Sequence, residues 1–352
     1  MPKVSLRRSF FASRSASFSS FFCRLLLTAS VAVSLVHVFD ANAATISLGA
    51  LLESRPATQP WSASFVDSVN KLKKIDKDLK VSLSYQAFDP TSAEPVARQM
   101  LGAPVDVLIM HSFALNDVAH KLAAQNPKVV MSVSSFDQPM KPNLNISTVS
   151  YLQVGYSQCW LLAKLSKSGK IGFVGAMPVP YANELLKACE LGANAAKSGT
   201  TVLSAFSNSF SDQQATREQA RTLVERGADG LFPASATEDS LGGFQLCEQQ
   251  KIPCVGWASD IKRYAPNYGV SSAVIDWSVS IHALVDQART GKLDATTFDA
   301  TYGNHGLVSV TASGNAAKLI PANVKADFDA MVRDLIAEKV SLPKSTAHPC
   351  CE

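Results

Sequence analysis

The chain has 352 residues, is 47% hydrophobic, and carries a formal net charge of +4 and seven cysteines. That length exceeds an ordinary single domain, so two domains of roughly 100–200 residues are expected, with cores large enough to need no metal or disulfide staple. Lys3, Arg7, Arg8, Arg14 and Arg24 face one acid, Asp40, in the first 43 residues, which is the whole formal excess. The rest is near neutral and has no basic stripe with interleaved aromatics, which argues against nucleic acid as a partner.

In chain order, the basic start is followed by an apolar run from Leu25 to Phe39 and by Ala41-Asn42-Ala43. This is the build of a cleavable export signal, with cleavage expected after Ala43. An uncleaved anchor and a mitochondrial transit peptide are the alternatives. Strand and helix patterns then alternate, as in parallel sheets covered by helices. Apolar strands are predicted at Ile46–Leu52, Val81–Phe88, Val105–Ser112, Lys128–Ser135, Lys170–Ala176, Thr201–Ser207, Asp229–Ser235 and Pro253–Ser259. Runs with three- and four-residue apolar spacing, such as FVDSVNKLKKI and QATREQARTLVERG, read as helices between them.

Two segments echo one another: Leu101–Leu108 and Arg226–Leu231 each close a helix with Gly and open a buried strand. Two similar βαβ lobes would explain the echo. A duplicated α/β architecture places its ligand between the lobes, at the carboxyl ends of the strands. The strand GKIGFVGAMPVP, Gly169–Pro180, ends at two prolines with a helix behind it, which is such a position.

Export leaves six cysteines, Cys159, Cys189, Cys247, Cys254, Cys350 and Cys351. An even count permits disulfides, and Cys247 and Cys254 are close enough to pair, but spacing does not fix connectivity. Buried free thiols fit as well. No CxxC or HxxxH pattern points to a metal, and none is expected, nor any cofactor. The motifs GxSxG, GxGxxG, Walker A and HExxH are absent, so catalysis has no visible machinery. Asn145-Ile-Ser147 is a glycosylation sequon in a eukaryotic secretory pathway only.

The series NPKVVMSVSSF, LAKLSKSGKIGFVGAMPVPYANELLKACELGANAA, NSFSDQQATREQARTLVERGADG and VGWASDIKRYAPNYGVSSAVIDW resembles, in order and spacing, the basic membrane protein family of ABC-transporter substrate-binding proteins. The resemblance covers nearly all of residues 45–310. It implies a type I periplasmic-binding-protein fold: two doubly wound parallel-sheet α/β lobes joined by a hinge. The expected division is a signal peptide at 1–43, a first lobe of 44–167 with 276–304, a second of 168–275 with 305–346, and a tail at 347–352. The implied function is extracytoplasmic capture of a purine-like solute, as a monomer, for delivery to an ABC permease in the membrane. A sensor subunit and a nucleoside or sugar hydrolase on the same scaffold are the competing readings.

Residues matching the family's site are Trp61, Ser112, Phe113, Phe210, Asp212, Asp260, Asp276 and Trp277. Aromatics on both faces of a planar base would supply stacking and apolar area, with a carboxylate or hydroxyl on its edge. Trp61 and Trp277 equally fit a packed core, and Asp260 a turn cap. His111, beside Ser112 on a strand, points to the opposite face and reads as a packed or surface residue. Thr58, Ala258 and Ile275 stand where relatives carry Asp, Asp and Lys, which removes the implied grip on ribose and favours a free base over a nucleoside.

Overall fold

The computed structural model describes residues 45–85 and 87–346. The leader with its expected cleavage point, and the tail with Cys350 and Cys351, lie outside the described residues. The apolar runs become two six-stranded sheets. In the first, β1 (Ile46–Leu52), β2 (Leu79–Ser84), β3 (Val107–His111), β4 (Val130–Ser134) and β5 (Leu144–Val149) lie parallel in the order β2-β1-β3-β4-β5. In the second, β6 (Lys170–Gly175), β7 (Thr201–Phe206), β8 (Leu231–Pro233), β9 (Cys254–Ala258) and β10 (Gly269–Ile275) repeat that order as β7-β6-β8-β9-β10. The chain then returns to add β11 (Thr297–Ala300) parallel to β5, and crosses again to add β12 (Leu307–Thr311) antiparallel to β10.

All eight expected strands form, the first with the expected ends and the others with shifted ends; β2 starts at Leu79 and stops at Ser84. Strands β5, β10, β11 and β12 were not anticipated. Asn145, on β5, carries the sequon and is buried, donating to Met131 O and Gln287 Oε1. The folded chain therefore does not offer that side chain for glycosylation.

Helices cover both faces of each sheet. Helix α1 (Pro60–Ile75) starts with proline, whose missing N–H costs nothing at a first turn, and buries Trp61, Phe65, Val69 and Leu72 at four-, four- and three-residue spacing. On the other face of the first sheet lie α2 (Pro90–Leu101) and α3 (Asn116–Gln125). Helix α4 (Tyr151–Leu165) leaves β5 but packs along α5 (Pro180–Ala196) and against β6, β9 and β10 of the second sheet. The other face of that sheet carries α6 (Gln213–Glu225) and α7 (Ser240–Gln250). Helix α8 (Ser278–Thr290) packs with α1 on the first sheet, and α9 (Ala322–Ile336) lies on α4.

Helices α4 and α5 touch closely because Gly155 and Gly192 have no Cβ; one added at either position would run into Leu185 O or Tyr156 O. The same closeness joins Cys159 to Cys189 in a disulfide, with Cα atoms 4.9 Å apart. Cys247 and Cys254, which spacing allowed as a pair, are instead buried free thiols.

Candidate functional site

The order second-first-third in both sheets makes a topological switch point between β1 and β3 and another between β6 and β8. Strand ends diverge there and leave a crevice. In this chain the two crevices face each other, and the residues just past β1, β3, β8 and β9 meet between the lobes. Contacts across the gap are direct. Trp61 N–H donates to Ala236 O at 3.0 Å, Tyr264 Oη–H to Pro56 O at 3.3 Å, and Arg263 meets Asp67 at 2.9 Å. Glu238 accepts hydrogen bonds from the hydroxyls of Ser54 and Thr58.

The crevice holds two adjoining cavities. The inner one, about 30 Å³, is walled by Trp61, Phe113, Tyr151, Tyr181 and Trp257, with Glu53, Ser235 and Thr237 as its polar groups. The outer one, about 380 Å³, is lined by Glu53, Ser54, Gln59, Phe88, Asp89, Phe210, Ser211, Thr237 and Glu238. Its volume is within the range of small-molecule sites. Glu53 and Thr237 belong to both.

Packing fixes the aromatic walls. Trp61 stacks on His111, with centroids 4.6 Å apart and planes 6° from parallel, and donates from Nε1 to His111 O. Trp257 and Trp277 meet it edge-on at 6.0 and 5.3 Å. His111 is therefore a packed histidine; burial holds its pKa down at about 3, so it stays a neutral plate behind the indole. Opposite, Tyr151 and Tyr181, from the first turns of α4 and α5, lie 5.1 Å apart, and burial raises both hydroxyl pKa values. Phe88, Phe113 and Phe210 form a triangle at the outer cavity, with all three centroid separations at 6.0 or 6.1 Å.

Several of the polar groups have their protons already committed. Ser235 and Thr237 hydroxyls donate to Asp239 Oδ1 at 2.7 and 2.6 Å, and Thr216 supports Oδ2. Trp257 Nε1 donates to Ala234 O. Gln59 Nε2 donates to Glu53 Oε2 at 2.9 Å, and Ser112 hydrogen-bonds the same carboxyl. Burial nevertheless pushes Glu53 up to about 7, against the lowering effect of Ser112 and Gln59.

Of the residues expected at the site, Trp61, Phe113 and Phe210 line the cavities, and Ser112 stands behind Glu53. Trp277 lies one layer deeper, buried behind Trp61 and donating from Nε1 to Ser64. Three expected carboxylates lie outside both linings and serve the fold. Asp212 caps α6 through Ala215 N, and Asp260 caps the short turn Ile261–Arg263 through Lys262 N. Asp276 pairs with Lys71 and accepts from Ser278 N. Each precedes a helical turn, where Asp is a favoured cap for local reasons alone. The lining residues not anticipated are Glu53, Ser54, Gln59, Phe88, Asp89, Tyr151, Tyr181, Ser211, Ser235, Thr237, Glu238 and Trp257. The one available signal was Glu53, a lone acid directly after the largely apolar first strand, at its carboxyl end. No group of three or more metal-ligating side chains occurs among the described residues, and no helix among them is long and apolar enough to cross a membrane.

Paired doubly wound lobes with an aromatic crevice at their facing switch points define the class: a two-lobed solute-binding protein. Residues 46–342 match the family model of PnrA-like ABC transporter substrate-binding proteins, and the chain belongs to this Bmp family. It is similar to basic membrane protein A2 of Borrelia garinii, at 24% identity over 80% of this chain and 84% of that protein. A purine-binding protein of Brucella abortus is 25% identical over 53% of this chain and 52% of its own length. An ABC transporter solute-binding protein of Conexibacter woesei superposes with a TM-score of 0.71 at 24% identity, covering 85% of this chain and 98% of that one. The family's members are substrate-binding proteins, which act outside the cytoplasm and deliver their ligand to a permease.

Proposed function

We propose that the ligand captured by this ABC transporter substrate-binding protein is a purine-like planar molecule, with a free base favoured over its nucleoside. The observation that carries the reading is the crevice as a whole: a cavity of about 380 Å³ that joins, at Glu53 and Thr237, a smaller recess with aromatic walls from both lobes. Such walls supply apolar area and stacking, while one buried polar group sets orientation. The purine-binding relative in Brucella supports the ligand class. The base preference rests on the family resemblance, which implies ribose-holding groups where this chain has Ala258 and Ile275; both are buried, apolar and outside the two cavity linings. Ribose hydroxyls turned toward those positions would find apolar side chains and lose water without gaining partners.

The lobes are proposed to move about three crossings. The packing of α4 on the second sheet argues for a first crossing near Ser150 rather than 167, with the others near 276 and 304. Ligand touching both lobes binds the closed arrangement better and shifts the population toward it. The working form is proposed to be an exported monomer that docks on its membrane permease. Calorimetric titration of adenine, guanine and hypoxanthine against their nucleosides tests the reading. Tighter binding of the bases is expected; tighter binding of the nucleosides would overturn the base preference, and no binding of any purine would overturn the ligand class.

A further inference from the structure

Acceptors dominate the polar lining of the outer cavity, although Ser211 and Gln59 are also there. The protons of Ser54, Ser235 and Thr237 are spent on Glu238 and Asp239, and the two tryptophan N–H groups are spent on backbone carbonyls. Glu53, Asp89 and Glu238 line the outer cavity, and among the described residues no Lys, Arg or His lines either cavity. Arg263, engaged across the lobes, is turned to Asp67, and neither it nor Arg55, which follows Ser54, lines either cavity. Beside the carboxylates stand Phe88 and Phe210, with Phe113 closing the triangle. A π-face next to carboxylates in a half-enclosed space attracts an ammonium or similar cation and repels an anion.

We infer that the ligand carries a positively charged or donor-rich substituent, seated in the outer cavity between the phenylalanine triangle and the carboxylates of Glu238 and Asp89, and that phosphorylated or carboxylated forms are rejected. This rests on the reading of the crevice as the ligand site, and it names the charge of what enters. The planar head lies where the two cavities adjoin, at Glu53 and Thr237, and the substituent lies in the outer cavity toward Glu238 and Asp89. A nucleotide would bring a phosphate into a space that has carboxylates and no lining base.

The test is a calorimetric titration with three adenines whose short side arms match in length: 2-aminoethyl, 2-hydroxyethyl and carboxymethyl. Each arm is placed at N6 and, in a second set, at N9, and the tighter attachment is scored. The expected order is amine, then alcohol, then carboxylate, with a spread of roughly a hundredfold at low salt that contracts as salt screens it. Glu238→Gln with Asp89→Asn should collapse the spread to within roughly threefold, while asparagine keeps the helix cap that Asp89 provides. Equal binding by the three arms, or a preference for the carboxylate, would overturn the inference. Unsubstituted adenine separates the two claims. If it binds and charge has no effect, the charge inference alone fails. If no purine binds, the purine reading fails, and the charge inference is judged on benzylamine, benzyl alcohol and benzoate. Failure of benzylamine to bind, or to bind best, then overturns it.

Discussion

Replacing Glu53 with Gln should make the protein more stable at alkaline pH and leave it nearly unchanged in acid. Glu53 is 6% exposed, and burial raises its pKa from 4.5 to about 7. The raised folded value means that folding takes up a proton. The stability this group contributes is full below about 4.5 and is lost as pH rises through about 7. The gap between the two values corresponds to about 3 kcal/mol. Glutamine keeps an oxygen to accept from Gln59 or Ser112 and never ionises. The variant should therefore gain about 3 kcal/mol over the wild type at pH 8, and little at pH 4.5. Asp299, also raised to about 7 by burial and then by Glu184, titrates in both proteins and cancels in the comparison. Denaturant unfolding of both proteins at the two pH values measures this. An equal difference at both pH values would refute the reasoning, since a pH-independent change reports packing rather than a buried charge.

Phe113→Ala should weaken adenine binding by roughly 5- to 150-fold, about 1–3 kcal/mol, with little change in Tm, because Phe113 is only half-buried at the cavity wall. Trp61→Ala should instead lose roughly 3–5 kcal/mol of stability, because Trp61 is packed among His111, Trp257 and Trp277; titration with paired thermal melts separates the two. Glu238→Ala with Arg263→Ala removes interlobe bonds and should favour the open form by roughly 1–3 kcal/mol, read as a larger ligand-free radius of gyration that contracts with saturating adenine. Replacing Cys159 and Cys189 together with alanine opens a 30-residue loop and should cost about 3–4 kcal/mol in denaturant unfolding.

The architecture was legible because parallel strands buried on both faces leave long apolar runs, as at Ile46–Leu52 and Val107–His111. Strand β5, LNISTV, hid because half its side chains are polar and are satisfied only by tertiary partners such as Gln287. Strands β11 and β12 are short edges whose pairing spans distant parts of the chain, which no local pattern records. At the site, the aromatic positions Trp61, Phe113 and Phe210 could be reached by resemblance, since they sit in recognisable motifs. Tyr151 and Tyr181 could not, because each is an ordinary first-turn helix residue until α4 and α5 are brought together. The same dependence on helix contact hid the Cys159–Cys189 bridge. Asp212, Asp260 and Asp276 show the reverse case: an Asp before a helical turn carries the same local signal whether it faces a ligand or a backbone N–H.

Mass spectrometry of the small molecule released by denaturing protein purified from its native host tests most directly what fills the crevice. The expected result is one purine-like molecule per chain, uncharged or cationic, free of phosphate, and recovered unchanged when added back to fresh protein. Recovery of a nucleotide, of a non-planar solute, or of a product differing from the molecule added would contradict it.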